Sequence, residues 1–213
     1  MTSARTPARA LIVFAKAPEA GRVKTRLARE LGEAGALAAY RELGTVVIGA
    51  AAGVSDCETV IAFTPPDREG LVRAWLGGGP RYEPQPEGDL GARMLGAIAA
   101  RFAAGAAKVV LIGTDCPGVG SALLKTAFAR LDQADAVFGP AADGGYYLVG
   151  MTRPIPELFR GIPWSTGATM AVTLERAATA RVEVAMLEER RDIDTAADWR
   201  AWQASRLGAG AAG

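Results

Sequence analysis

Short apolar runs alternate along the chain with longer stretches in which apolar residues recur every three or four positions. Ala10–Ala15 carries no charge and is bounded by Arg9 and Lys16, which predicts a buried strand. Beyond the next loop, Leu27, Leu31, Leu37, Tyr40 and Leu43 recur at helical spacing and predict one long helix through LARELGEAGALAAYRELGTVVIGAA. ETVIAF (58–63) predicts a second strand that ends in Thr64-Pro65-Pro66-Asp67, and 71–76 a short helix stopped by Gly77-Gly78-Gly79-Pro80. The Pro and Gly cluster over 77–91 reads as loop, with a short strand near Tyr82. Leu90, Met94, Leu95, Ile98 and Phe102 mark one face of a helix over 90–104, and KVVLIG (108–113) is the strongest buried-strand pattern. A helix over 121–131, strands over 135–139 and 145–150, a Pro-rich connection PIPELFRGIPWSTG, a helix over 168–178, a strand over 182–187 and a closing helix over 196–207 complete the pattern. Such alternation predicts an α/β layered domain with a mostly parallel sheet.

Composition narrows the partners. At 213 residues the chain reads as a single domain over 1–213, with frayed ends at 1–9 and 208–213. Half the residues are hydrophobic, and 24 Lys and Arg against 23 Asp and Glu leave a net charge of +1. That balance predicts an ordered protein without a polybasic surface for nucleic acid or membrane, so small molecules are the expected partners. No apolar run approaches the roughly 20 residues a bilayer requires, and MTSARTPARA lacks the pattern of a signal peptide, which predicts a cytoplasmic protein. Cys57 and Cys116 have no CxxC spacing, so neither zinc nor a bridge is indicated. The absence of histidine removes Ser-His and Cys-His nucleophiles and any histidine base. Chemistry must rest on carboxylates, Lys, Arg, hydroxyls, backbone amides and a hard cation.

Several segments could carry it. FAKAPEAGRVKTRL (14–27) follows the first strand and leads to a helix N-terminus, where backbone N–H groups with Lys16, Lys24 and Arg26 suit phosphates. It matches neither GxxxxGK[ST], since Val23 precedes Lys24-Thr25, nor GxGxxG; a solvated basic loop is its bland alternative. In GTDCPGVG, Asp115 lies just beyond the strongest strand, where open α/β sheets bind ligands. There it can hold Mg²⁺ or Mn²⁺, or shape the turn before Pro117. AADGGYYLVG sets Asp143 on a Gly-rich turn with Gly144 and Gly145. RRDIDTAADW places Asp192 and Asp194 on alternate positions, facing one side if extended, while Thr195 and Asp198 match helix-capping chemistry. Asp89 in GDLGARM either caps a helix or belongs to a loop that reads a nucleobase edge, and Trp164-Ser165-Thr166 offers an N-cap or substrate contacts.

In order, FAKAPEAGRVKTRL, GDLGARM, GTDCPGV, DGGYYLVGM, PWST and DIDTAADW resemble the DUF2064 family of the glycosyltransferase-A superfamily, the group described as arsenosugar-biosynthesis or radical-SAM-associated glycosyltransferases. The resemblance runs from Leu11 to Trp202. It implies a nucleotide-diphospho-sugar transferase fold, a Rossmann-like three-layer αβα sandwich around a mixed, mostly parallel sheet. Parts of the chain are also similar to the molybdenum-cofactor and phospholactate guanylyltransferases. The resemblance further implies that Phe14, Lys16, Gly21, Lys24, Thr25 and Arg26 contact the nucleotide, mainly its phosphates. Gly88, Asp89, Leu90 and Gly91 would border the nucleoside. Asp115 would be the principal ligand of Mg²⁺ or Mn²⁺, with Asp194 second and Asp192 its competitor. Asp143, Gly144, Gly145, Trp164, Ser165 and Thr166 would face sugar or acceptor, and Lys24, Arg26, Asp115 and Asp143 would carry catalysis. A usual DxD is missing, because Cys116-Pro117 follows Asp115. Three functions follow: sugar transfer from a nucleotide-sugar to a small acceptor, nucleotidyl transfer to a phosphorylated substrate with pyrophosphate release, or nucleotide binding without turnover.

Overall fold

The computed structural model describes residues 8–210. The elements are β1 (Arg9–Lys16), α1 (Thr25–Ala52), β2 (Cys57–Thr64), α2 (Glu69–Leu76), β3 (Arg81–Pro84), α3 (Leu90–Ala103), β4 (Lys108–Ile112), α4 (Ser121–Arg130), β5 (Ala136–Pro140), β6 (Tyr146–Met151), α5 (Thr169–Thr179), β7 (Val184–Met186) and α6 (Ala196–Gly210). Two short 3-10 turns, Pro66–Arg68 and Pro156–Leu158, fill connections. Residues 1–7 and 211–213, where most of the expected fraying falls, lie outside the described residues. Arg9 is already in β1, and α6 reaches Gly210.

One mixed seven-stranded sheet runs in the order β3-β2-β1-β4-β6-β5-β7. β6 is antiparallel to both β4 and β5, and the other pairings are parallel. Alternation along each strand sends side chains to two cores. Leu11, Val13, Ile61, Phe63, Val110 and Ile112 meet Val47 of α1, Val72 of α2 and Leu124 and Phe128 of α4. Ile12, Val109, Leu111 and Val149 meet Met94 and Ile98 of α3 and Met170 of α5. The result is the three-layer αβα sandwich. A smaller cluster joins Leu27, Ala36 and Leu43 of α1 to Ile193 and Trp199 of the last segment. No helix among the described residues is long and apolar enough to cross a membrane.

The long first helix departs from the expected regularity. Gly32 has φ 70° and ψ 167° inside α1, which breaks the helix there. The apolar spacing continues through the break and conceals it.

Candidate active site

Strands β1, β2 and β3 build outward in one direction, and the chain then crosses back through α3 to place β4 on the other side of β1. The reversal at β1 and β4 is the switch point at whose carboxyl ends open α/β sheets form a crevice. A cleft of about 610 Å³ lies there. Phe14 and Lys16 end β1 on its wall, Lys24, Thr25 and Arg26 come from the loop and first turn of α1, and Gly113 to Cys116 follow β4. Asp143, Ser165, Asp192 and Asp194 enter from the later loops.

The late segment reaches the cleft through a backbone contact. The N–H of Ile193 donates to the carbonyl of Asp115 at 2.9 Å, and the Ile193 side chain is buried beside Leu27 and Trp199. This anchor sets Asp194 beside the β4 terminus. Asp198 then caps α6, accepting from the Thr195 N–H at 2.9 Å and from the Thr195 hydroxyl at 2.6 Å. Burial pushes the Asp198 carboxyl up, but these hydrogen bonds and nearby Arg191 outweigh it and hold it low.

Lys24 is the centre of the charge arrangement. Its ammonium donates to the Ile193 carbonyl at 2.5 Å and to Asp194 Oδ1 at 2.9 Å, and it lies 2.9 Å from Asp115 Oδ1. The Lys24 side chain is 4% exposed, whereas Arg26, 3.8 Å from Asp194 Oδ2, is 73% exposed. Burial works against the Lys24 charge, yet Asp115 and Asp194 overcome it and raise its pKa. Its backbone is also unusual, with φ 47° and ψ 46°; for a residue with a Cβ, such a left-handed conformation costs about 1–2 kcal/mol and persists where surrounding contacts enforce it.

Asp192 has a different environment. Its Oδ1 is buried without a hydrogen-bond partner among the described residues. Burial first, then the negative charge of Asp115, with Lys24 opposing and Asp194 and Asp143 adding, pushes its carboxyl up to about 7. The cleft is lined by four acids and four cations, Lys16, Lys24, Arg26 and Arg93, and the acids are near enough to one another to act on Asp192 together. Among the described residues no group of three or more His, Cys, Asp and Glu side chains is arranged to hold a metal. Asp115 and Asp194 nevertheless converge on one point, beside an orphaned carboxylate oxygen. Two carboxylates with the remaining positions open to phosphate oxygens is a donor set that suits Mg²⁺ or Mn²⁺.

Apart from Asp143 and Leu90, which line the cleft, the remaining expected residues shape it from behind. Asp89 caps α3, its Oδ1 accepting from the Ala92 N–H at 2.8 Å. A Cβ on Gly91 would fall 2.6 Å from Trp164 Cζ2 and 2.7 Å from the Phe159 carbonyl oxygen, so this glycine lets α3 close onto the PWST loop. Thr166 donates to the Pro163 carbonyl at 2.8 Å, and Asp143 Oδ1 accepts from the Gly145 N–H at 2.9 Å, a local turn. Gly144, at φ 85°, sits where a Cβ would be 2.3 Å from the Gly167 carbonyl oxygen. Gly21 and Gly88 have φ of 73° and 107° and bend the loops that lead to Lys24 and α3.

Sequence reasoning missed a second set. Tyr40 accepts from the Lys16 N–H at 2.8 Å and donates to the Lys16 carbonyl at 3.1 Å, pinning the end of β1. Gln85 donates to the Ala62 carbonyl at 3.0 Å and accepts from Arg93 Nη1 at 3.0 Å. Arg93 Nε and the Tyr146 hydroxyl are buried without partners among the described residues, and both residues line the cleft. Burial raises the Tyr146 hydroxyl well above its ordinary value. A tyrosine inside the Leu/Ala stripe of α1 was the one available signal; Arg93 reads as an ordinary polar helix position.

Residues 47–166 match the family model described as an uncharacterized protein conserved in bacteria, DUF2064. The chain belongs to the DUF2064 family. It is 35% identical to a Desulfovibrio desulfuricans G20 protein that is provisionally named a nucleotide-diphospho-sugar transferase, with 88% of this chain and 83% of that one covered and a TM-score of 0.84. At 14% identity and a TM-score of 0.61, CMP:2-keto-3-deoxy-manno-octonic acid synthetase in complex with CTP shares the fold, with 94% and 99% covered. Rv0371c of Mycobacterium tuberculosis H37Rv, in a complex with manganese, shares it at 17% identity and a TM-score of 0.54, with 91% and 97% covered. No functionally curated protein matches this DUF2064 chain.

Proposed function

We propose that this DUF2064 protein is a metal-dependent transferase acting on a nucleotide-activated donor, and that it moves a sugar from a nucleotide-diphospho-sugar to a small-molecule acceptor. One observation carries the reading: Asp115 and Asp194, from segments far apart in sequence, converge on buried Lys24 in the switch-point cleft. The 35% identical relative and its name support the nucleotide-sugar.

Asp115 and Asp194 would hold Mg²⁺ or Mn²⁺, which when bound neutralises phosphate charge as a Lewis acid. Lys16, Arg26 and the amides near Gly21 and Thr25 face the phosphates. Phe14 and Leu90 offer apolar surface to the nucleoside beside Gly88, Asp89 and Gly91. Asp143, with Gly144, Gly145, Trp164, Ser165 and Thr166 around it, faces sugar and acceptor, where its carboxylate can orient or accept the proton of an attacking hydroxyl. Fixed positive groups in a narrow cleft stabilise charge that develops on the leaving diphosphate, and none of this requires histidine.

Nucleotidyl transfer is the second reading. It is favoured by the metal-facing carboxylates coming from two separate segments rather than one DxD. Incubation with Mg²⁺ or Mn²⁺ and either nucleotide-sugars or NTPs separates the two: sugar transfer releases a nucleoside diphosphate, nucleotidyl transfer releases pyrophosphate. Pyrophosphate release without turnover of any nucleotide-sugar would overturn the first reading. Nucleotide binding that persists in Asp115→Asn, with no turnover by the parent protein, would overturn both.

A further inference from the structure

A lysine ammonium has three N–H donors. In Lys24 two are given to the Ile193 carbonyl at 2.5 Å and to Asp194 Oδ1 at 2.9 Å, and Asp115 Oδ1 lies 2.9 Å away as an ion-pair contact. With three oxygens this close and only 4% of its side chain exposed, the ammonium is turned to the acids and not to an incoming phosphate. The same ammonium also stands between the two carboxylates that a dication would use, and Mg²⁺ needs to approach each oxygen to about 2.1 Å. Lys24 and a metal therefore compete for Oδ1 of each carboxylate.

The surroundings make this arrangement releasable. The Lys24 backbone is held left-handed, at φ 47°, so freeing its side chain removes a reason for that conformation. Gly21, at φ 73°, and the break at Gly32 bracket the segment on both sides. Asp192 Oδ1 stands nearby without a partner, and Asp143 adds a fourth acid to the same cleft. Arg26 is the other cation at the carboxylates and is mostly exposed.

We propose that Lys24 is a displaceable internal counter-ion, which occupies Asp115 and Asp194 until a phosphate-bearing ligand and a dication arrive together. The dication takes the carboxylates, and the released ammonium turns to the phosphate. This inference rests on the metal–nucleotide reading above and adds an order to it: metal alone binds weakly, and metal and phosphate assist one another. The site is thereby kept from filling with a cation when no donor is present.

The test is direct Mn²⁺ binding, followed by the loss of the free-ion electron paramagnetic resonance signal, with and without inorganic pyrophosphate. The parent should bind Mn²⁺ weakly, and pyrophosphate should tighten binding by about tenfold or more, within the usual range of couplings between sites. Lys24→Met should bind Mn²⁺ alone at least about tenfold more tightly than the parent and gain little from pyrophosphate. Lys24→Gln, which keeps a donor for the Ile193 carbonyl, should do the same and answers the question if the methionine variant folds poorly. Mn²⁺ binding by either folded variant that is no tighter than the parent's overturns the counter-ion role and leaves the transferase reading standing. No Mn²⁺ binding by parent or variants, with or without pyrophosphate, overturns both.

Discussion

Two buried cations in this molecule each sit between two acids. Arg101 of α3 is 5% exposed; its Nη2 lies 2.9 Å from both Glu83 oxygens, and its Nη1 lies 3.5 Å from Glu58 Oε2. Arg81 adds a second cation, 2.5 Å from Glu83 and 3.9 Å from Glu58, so two positive groups meet two negative ones. Lys24 has the same coordination by two carboxylates, yet Asp192 and Asp143 bring further acid near it, and Arg26, the other cation beside Asp194, is mostly exposed. Arg101 lies in a regular helix, whereas Lys24 holds a left-handed backbone. Burial between two acids is thus shared by a clamp and a site. Clustered acids, strain and orphaned polar atoms are what set the site apart.

The comparison can be broken at its strongest point first. Asp115→Asn should lower turnover by about 10³-fold or more, equivalent to roughly 4 kcal/mol of barrier, while the melting temperature stays near the parent's. A loss of less than tenfold in released diphosphate or pyrophosphate would remove Asp115 from the chemistry. Arg101→Met should do the reverse. Leaving Glu58 and Glu83 together without their buried cation should cost about 3–5 kcal/mol in urea denaturation, with ligand affinity of the folded fraction unchanged.

The Asp192 carboxyl gives a pH test of that clustering. Its folded value, about 7, lies above that of an unfolded aspartate. Its contribution to stability is therefore complete below about pH 4, declines as pH rises, and is gone above about pH 7. Up to about 4 kcal/mol is at stake across that window. Asp192→Asn, neutral throughout, should flatten that part of the pH–stability curve and stabilise the ligand-free protein at pH 8 but not at pH 4; an unchanged slope would mean that burial and the neighbouring acids do not hold the Asp192 carboxyl up. The smallest expected effect belongs to Asp89→Ala, which removes the α3 cap and should cost about 1 kcal/mol of stability. A selective loss of nucleotide affinity there would instead return Asp89 to the site.

Much of this was legible in the sequence because it depends on local pattern. The run KVVLIG located β4 and put Asp115 at its carboxyl end, and the period-two spacing of Asp192 and Asp194 anticipated that both would reach one cleft. The Thr195 and Asp198 cap was readable from spacing alone. What stayed hidden depends on pairs distant in sequence: Lys24 and Asp194 are 170 positions apart, so a lysine expected on phosphate is found on carboxylates. Tyr40 and Arg93 were masked by helical periodicity, which reports the face a residue occupies but not what its polar tip meets.

The contact at Gly91 has a mechanical consequence. Because α3 closes onto Trp164 there with no room for a methyl group, the loop that begins α3 and the loop that carries Ser165 are packed together as one wall of the cleft. The opposite wall has a different build: residues 22–31 lie between Gly21 and the interruption at Gly32, and Lys24 is carried in that stretch.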